Sequence, residues 1–428
     1  MNILILTNTF TPHVGGVARS VTAFTEEYRK RGHRVLVVAP EFPAMPPHEI
    51  DVVRVPAIQN FNASDFSVVL PLHPPLTATL DAFRPDIVHS QHPYLLGMTA
   101  LRIARRRGLP LVFTHHTLYE QYTHYIPGDS PALKRFAIEL ATRYANLADQ
   151  VFAPSESIRD LIQQRGVTTP IAVVPTGVHL DHFAQGDGRA FRRNTGIPEE
   201  AYVVGHLGRL APEKNLEFLA QAVAAFVAAH PHGHFLIIGT GPSEAAIRDI
   251  FTQAGLGAHL HIVGILQQQA LSDALHAMDV FAFASTSETQ GMVLTEAMAA
   301  ALPVVALDAA GAREVVSDRY NGRLLQEATP AAFTAALQWM AGLSGESLRE
   351  MKHAALATAE AFSMPRLAEK ALACYAALMA GTHAAPSKDE NSWHEVVTAL
   401  KTEWNILKSV AGAGDAALGT HLFSEKEE

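Results

Sequence analysis

Short runs of β-branched and aliphatic residues recur along the first part of the chain, each closed by polar, Gly or Pro positions. Asn2–Asn8, Arg34–Pro40, Asp51–Pro56, Asp86–Gln91, Pro110–His115, Gln150–Pro154 and Ile171–Pro175 read as strands. Between them lie longer stretches with apolar positions at helical spacing: Gly16–Arg31, Tyr94–Arg107, Ala132–Ala148 and Glu156–Arg165. Strands that alternate with helices predict an α/β fold with a parallel, doubly wound sheet. In such a sheet the binding loops gather at the carboxyl ends of the strands.

Residues 176–200 break this rhythm with Gly, Asp and Pro, and a second strand–helix series follows: Tyr202–Gly208, His234–Gly239, His259–Gly264, Val280–Ala284 and Val304–Leu307. Two similar domains are therefore expected, over residues 1–180 and 200–362, with their carboxyl-end loops facing each other across a cleft. Sequence from Pro330 to Gly381 is helix-rich, and THAAPSKDENS after it reads as a polar linker. Ser392–Val410 then puts Trp393, Val396, Val397, Leu400, Trp404 and Leu407 on one helical face, so residues 382–428 are expected to form a linker and an amphipathic tail helix.

Composition narrows the function classes. A chain of 428 residues exceeds what one core usually supports, and 48% hydrophobic against 18% charged residues describes an enzyme-like globular protein. A net charge of -9 argues against nucleic acid as the main partner. Cys374 is the single cysteine, which excludes an intrachain disulfide and suits a reducing cytosol. MNILILTNTF lacks a basic leader and turns polar after Leu6, so it reads as a strand and not a signal peptide. No uninterrupted apolar run is long enough to span a bilayer, which leaves peripheral contact as the expected mode of any membrane association.

The chemistry concentrates in STSETQGMVLTEAMAAAL, residues 285–302. Its first part is a polar loop, and from Gly291 the pattern predicts a helix that ends before Pro303. Glu296 is nearly the only ionisable group on that apolar helix, where a carboxylate requires hydrogen-bonding partners from protein or ligand. Glu288 falls just before the helix start, where free N–H groups favour an anion. A phosphate at the helix start with hydroxyls at each carboxylate describes a nucleotide sugar; a capping Glu plus a buried structural Glu would read the same. TNTFTPHVGGVAR (7–19) opens a helix with Gly15 and Gly16, a pair that lets backbone approach a phosphate or simply makes a turn. GHLGRLAPEKN (205–215) sets Arg209 and Lys214 between strand and helix, either as partners for a diphosphate or as solvated cations. LIIGTGPSE (236–244) is a Gly-rich turn around Gly239. FTHHTLYEQYTHYIP (113–127) raises the alternative of zinc at His115, His116 and His124. With no cysteine ligands, no HExxH helix and no Asp-x-Asp pair, no metal is expected.

GGVAR, HHT, GRLAPEKN, IIGTGP and SETQGMVLTEAMA, in this order over roughly residues 1–380, resemble the retaining glycosyltransferases of the GT-B fold that carry a Glu-x7-Glu motif. The resemblance implies two Rossmann-like domains, with a helix over residues 363–381 crossing back to the first. It implies a nucleotide-sugar co-substrate and no other cofactor. Glu296 would bind ribose hydroxyls and Glu288 hydroxyls of the transferred sugar. Arg209 and Lys214 would neutralise the diphosphate, helped by backbone N–H groups at Gly16 and at Gly291, Met292 and Val293. Gly15, Gly239, Thr289 and Gln290 complete the expected donor site, with Gly264, Ile265 and Leu266 beside the base. His116, directly before Thr117, would lie at the sugar beside the reacting carbon. One departure is His179 in PTGVHLDHF, where the family usually has Asp.

The ETQG form of the motif, with HHTLYEQYTHYIP, resembles the bacterial diacylglycerol glucosyltransferases and implies a glucosyl donor, UDP-glucose, with a lipid acceptor at the cytoplasmic face of the membrane. The residues themselves leave uridine against guanosine, and glucose against galactose or mannose, open. The acceptor and membrane side would use Tyr119, Tyr122 and Tyr125 with Lys134, Arg135 and Arg143, near the basic run Arg102, Arg105, Arg106 and Arg107. Such cations attract anionic lipid at about 1 kcal/mol each near the surface. The rival readings are a soluble acceptor on the same fold and a non-catalytic sugar-nucleotide-binding protein.

Overall fold

The structure is a computed structural model and describes residues 1–381 other than 14, 44, 47, 59–67, 70–74 and 122–129. Tyr122, His124, Tyr125, the polar linker and the expected tail helix lie outside the described residues. The chain divides into two compact units: Met1–Pro154 with Ile158–Val174 and the chain from Ala371, and Ser155–Ser157 with Pro175–Lys370.

In the first unit the order is β1 (Asn2–Leu6), α1 (Gly16–Lys30), β2 (Arg34–Pro40), β3 (Val52–Val55), β4 (Ala57–Ile58), β5 (Val68–Val69), α2 (Pro75–Phe83), β6 (Ile87–Ser90), α3 (Leu96–Arg107), β7 (Leu111–Thr114), α4 (Pro131–Leu147), β8 (Gln150–Ala153), α5 (Glu156–Gln164) and β9 (Ile171–Val173). Seven strands form a parallel sheet in the order β3-β2-β1-β6-β7-β8-β9, while β4 and β5 pair separately. Val35–Ala39 of β2 and Ile3–Leu6 of β1 are buried throughout. That is why these strands read as continuous apolar runs: helices cover both faces of a parallel sheet.

The second unit contains α6 (Gly188–Thr195), β10 (Tyr202–Leu207), α7 (Leu216–Ala229), β11 (Gly233–Ile238), α8 (Glu244–Gln253), β12 (Leu260–Ile262), α9 (Gln268–His276), β13 (Val280–Phe283), α10 (Met292–Ala299), β14 (Val304–Leu307), α11 (Ala310–Arg313), β15 (Gly322–Leu325), α12 (Pro330–Ala341) and α13 (Gly345–Ala361). Its six strands are parallel in the order β12-β11-β10-β13-β14-β15. Successive residues serve opposite faces, Val203, Phe281 and Phe283 packing in one cluster and Val204, Val280 and Ala282 in the other. The last described helix, α14 (Met364–Ala380), begins in the second unit and from Ala371 belongs to the first.

Both sheets are doubly wound, and in each the strand order reverses beside the first strand: between β1 and β6, and between β10 and β13. Loops at those switch points are where ligands bind in open α/β sheets. Among the described residues, the predicted strands and the helices whose bounds were given are present within a few residues. The edge strand β15, the β4–β5 pair and α2 are additions that the apolar pattern left out.

Candidate functional site

In the second unit the loops after β10 and β13 flank the switch point. Pro212–Lys214 makes one short helical turn after β10, and Asn215, in the left-handed region at φ 56°, turns the chain into α7. This directs the Lys214 side chain at the loop after β13, where Nζ lies 2.5 Å from Glu288 Oε1. Both side chains are half-buried, at 15% and 24% exposure, so their attraction is less screened than that of a surface pair. Arg209 pairs with Glu213 and keeps 48% of its side chain exposed.

The Glu288 loop is held from several sides. Ser285 and Ser287 donate to the Glu213 carbonyl at 3.4 and 3.1 Å. Ser155 Oγ donates to the Thr289 carbonyl at 2.8 Å. Gln290 is buried, and its amide binds both backbone groups of Thr176, donating to the carbonyl at 2.6 Å and accepting from N–H at 2.7 Å. Gly291, at φ 70°, caps α10, whose first residues are Met292 and Val293. A Cβ on Gly311 would lie 2.8 Å from Glu288 Cβ and 2.9 Å from the Gly291 nitrogen. Gly311→Ala should therefore overpack this loop at a cost of about 1–3 kcal/mol, read as a lower Tm, and displace Glu288, read as weaker donor binding by calorimetry.

Glu296 lies just over one turn into α10 with 3% exposure, among the buried Leu294, Ala297 and Met298. His206, on β10, is a site-side residue the sequence reading passed over. Its Nδ1 donates to the Ala282 carbonyl at 3.1 Å, and its Nε2 lies 3.4 Å from where a Cβ on Gly208 would sit. Burial pushes this imidazole down to about 4, with Lys214 adding to the effect. It is therefore neutral at physiological pH. The signal for it was one histidine inside the apolar run YVVGHL.

Gly239 has an internal reason to be glycine. It sits at φ 142°, a Cβ there would meet the Gly208 carbonyl at 1.9 Å, and its N–H donates to the Gly264 carbonyl at 2.8 Å. Gly264 takes φ 74° and leads to Ile265, whose side chain is exposed, and to the half-buried Leu266.

In the first unit the loop after β1 runs to Gly15, which caps α1. A Cβ on Gly16 would meet nothing within 4 Å, so packing within the described residues does not demand that glycine. Asn8 ties this loop to the one after β6: its N–H donates to His92 Nδ1 at 3.1 Å, and its side chain binds Tyr94 and Leu96 backbone at 3.1 Å each. His116, half-buried after β7, places Nε2 2.6 Å from Gln91 Oε1. Burial and the neighbouring His92, His89 and His115 hold His116 well below the usual histidine range.

The acceptor-side residues separate. Tyr119, expected at a lipid-facing surface, instead turns inward. Its ring packs edge-on against Tyr94 and His115 at 5.6 and 6.0 Å, and its hydroxyl is buried. Burial beside Tyr94 and Tyr144 raises that hydroxyl well above the usual tyrosine range. Lys134, Arg135 and Arg143 are exposed on α4, with Arg143 paired to Glu139 at 2.6 Å. Leu133, Phe136, Ile138 and Leu140 of the same helix are only half-buried.

Residues 14–182 match the family model for Glycosyltransferase Family 4, and residues 187–358 match that for Glycosyl transferases group 1. A GDP-mannose-dependent alpha-mannosyltransferase of Mycolicibacterium smegmatis is 31% identical over 78% of this chain and 88% of its own. The chain belongs to the GT-B glycosyltransferases. An alpha-monoglucosyldiacylglycerol synthase of Acholeplasma laidlawii is 28% identical over 71% of this chain and 80% of its own. Among solved structures, Anabaena HepE in complex with UDP and glucose superposes with a TM-score of 0.71 at 22% identity, covering 88% of this chain and 99% of that one. This GT-B glycosyltransferase is an enzyme that transfers sugar, and its two units are the two Rossmann-like domains of that fold.

Proposed function

We propose that this glycosyltransferase moves a glucosyl unit from UDP-glucose to a membrane lipid, diacylglycerol, with retention of anomeric configuration and without a metal. The observation that carries the reading is the half-buried Lys214–Glu288 pair at the switch point of the second unit, with Glu296 on the helix that follows. Likeness to the monoglucosyldiacylglycerol synthase of Acholeplasma laidlawii supports the acceptor.

In this reading the bond from the sugar C1 to the diphosphate oxygen breaks as the acceptor hydroxyl oxygen bonds to C1 on the same face. The hydroxyl proton passes to an oxygen of the departing diphosphate, so atoms and charge balance without a protein nucleophile. Lys214, Arg209 and the N–H groups at the start of α10 stabilise the growing negative charge. Glu288 holds hydroxyls of the sugar, Glu296 those of the ribose, and His116 supplies a neutral hydrogen-bonding group to the sugar.

The half-exposed Leu133, Phe136 and Leu140, beside Lys134 and Arg135, give α4 the character of a lipid-facing helix. Among the described residues no helix is long and apolar enough to cross a membrane. Vesicle binding should rise with anionic lipid and fall with salt. Lys134→Ser with Arg135→Ser should reduce glycolipid synthesis on vesicles and leave UDP affinity unchanged. Wild-type glycolipid synthesis by that double variant, or far better use of a water-soluble acceptor, would refute the lipid assignment.

A second donor, GDP-mannose, is favoured by the 31% identity to the mannosyltransferase. A thermal-shift panel of UDP-glucose, UDP-galactose, GDP-glucose and GDP-mannose decides between them, and NMR of the product's anomeric proton tests retention.

A further inference from the structure

In the first unit the strand order reverses between β1 and β6, and one side chain spans that crevice. His92, on the loop after β6, is 5% exposed. Its Nδ1 accepts the Asn8 backbone N–H, from the loop after β1, at 3.1 Å. Both loops are fixed around this contact. The Asn8 side chain binds the Tyr94 carbonyl and the Leu96 N–H at 3.1 Å each, and the Gln91 N–H donates to the Leu6 carbonyl at 3.0 Å. Ser90 Oγ donates to the His92 carbonyl at 2.9 Å. A Cβ on Gly97 would lie 1.7 Å from that carbonyl oxygen, so Gly97 is what makes room for the His92 backbone.

A backbone N–H only donates, so Nδ1 carries the lone pair of this ring and Nε2 its hydrogen. The reversed ring would press a C–H against the Asn8 N–H, and protonation would press a second N–H against it. Burial acts in the same direction, holding the imidazole at about 3 and therefore neutral. Nε2 has no partner among the described residues and is not one of the polar atoms closed off from solvent. The Tyr94 ring stands edge-on to His92 at 5.9 Å, and Tyr119 packs on Tyr94 at 5.6 Å. His92 is also a neighbour of His116, whose protonation it opposes.

A donor that takes no charge is a poor match for phosphate, which calls for cations. Fixed as a donor among aromatic rings, it is complementary to an uncharged oxygen that can only accept. An ester carbonyl is such an oxygen, and diacylglycerol carries one on the carbon next to its free hydroxymethyl group. We propose that His92 is an acceptor-binding residue, whose Nε2–H donates to an ester carbonyl oxygen of the lipid and so orients the hydroxyl that receives the sugar. This rests on the proposed diacylglycerol acceptor. A lipid with ether-linked chains offers no such carbonyl, so His92 also sets a preference between the two lipid classes.

The test compares full-length wild type with His92→Asn on vesicles of ether-linked phosphatidylglycerol that carry either diacylglycerol or its dialkyl ether analogue. The Asn carboxamide oxygen can replace Nδ1 as the acceptor for Asn8, so the loops stay bridged while the Nε2–H donor is lost. Wild type should use diacylglycerol about tenfold more efficiently than the ether analogue, the scale of one hydrogen bond. In His92→Asn the efficiency with diacylglycerol should fall to that with the ether, and the preference should vanish. Donor KM and UDP affinity should be unchanged, with Tm as the control for folding. A purely structural His92 would instead lower the use of both lipids alike and leave their ratio intact, which overturns the inference. Equal use of the two lipids by wild type overturns it as well, without recourse to a variant. In either case glycolipid synthesis by wild type leaves the lipid reading standing. If wild type glycosylates neither lipid, that reading fails and the inference fails with it.

Discussion

Lys214→Ala should lower kcat about a hundred- to a thousandfold, the loss typical of removing one preorganised charge or donor from a developing anion. UDP affinity should fall far less. Charge on the leaving diphosphate grows as the glycosidic bond breaks, so a fixed ammonium is worth more in the transition state than in the bound ground state. The geometry favours a fixed ammonium. The turn at Pro212–Lys214 and the left-handed Asn215 aim the side chain, and Glu288 holds it at 2.5 Å. The same substitution takes the cation from a half-buried carboxylate, so Tm should be measured alongside. Lys214→Arg keeps the charge but changes its reach and should restore only part of the rate. EDTA should leave the wild type active. If EDTA abolishes activity and manganese restores it, the metal-free mechanism is wrong.

The strands that carry this site were legible because central parallel strands are buried on both faces. Val203–Gly205 and Val280–Phe283 are buried, and both appear in the sequence as short apolar runs. The β15 edge was not legible. Its Gly322 is demanded by the Val304 carbonyl, 2.0 Å from where a Cβ would be. Its Arg323 bonds Asp318 and lies over the Trp339 ring, so it presents no apolar alternation.

Motif residues close in sequence were legible as a set, but the contacts that organise them were not. Lys214 and Glu288 are 74 residues apart, and Gln290 and Thr176 are 114 apart. Parallel register and crossover length decide such meetings, and neither is written in local periodicity. Gln91 escaped notice for the same reason: only the β6–β7 pairing brings it to His116. Tyr119 shows a different limit. An aromatic-rich stretch is compatible with a wet interface or a packed interior, and in this chain Tyr94, Tyr144 and His115 supply the interior.

Glu296→Ala should weaken binding of free UDP about ten- to a hundredfold, because a hydrogen bond to a charged group is worth roughly 1.5–3 kcal/mol. The ribose is common to donor and product, so the loss should appear equally with UDP and with the intact nucleotide sugar. Glu288→Ala should behave differently. Its proposed partners are hydroxyls of the transferred sugar, which UDP lacks, so UDP affinity should be largely spared while turnover falls. The placement of the two carboxylates supports this division. Glu288 lies before the cap of α10 beside Lys214, where a sugar and its phosphate would meet a cation. Glu296 is 3% exposed, just over one turn into that helix. Glu296→Gln, which keeps an acceptor oxygen without the charge, should lie between wild type and Ala. Calorimetric titration of UDP into each variant, with Tm as the control for folding, measures all of this. Equal losses of UDP affinity in Glu288→Ala and Glu296→Ala would show that the two carboxylates do not divide sugar from ribose.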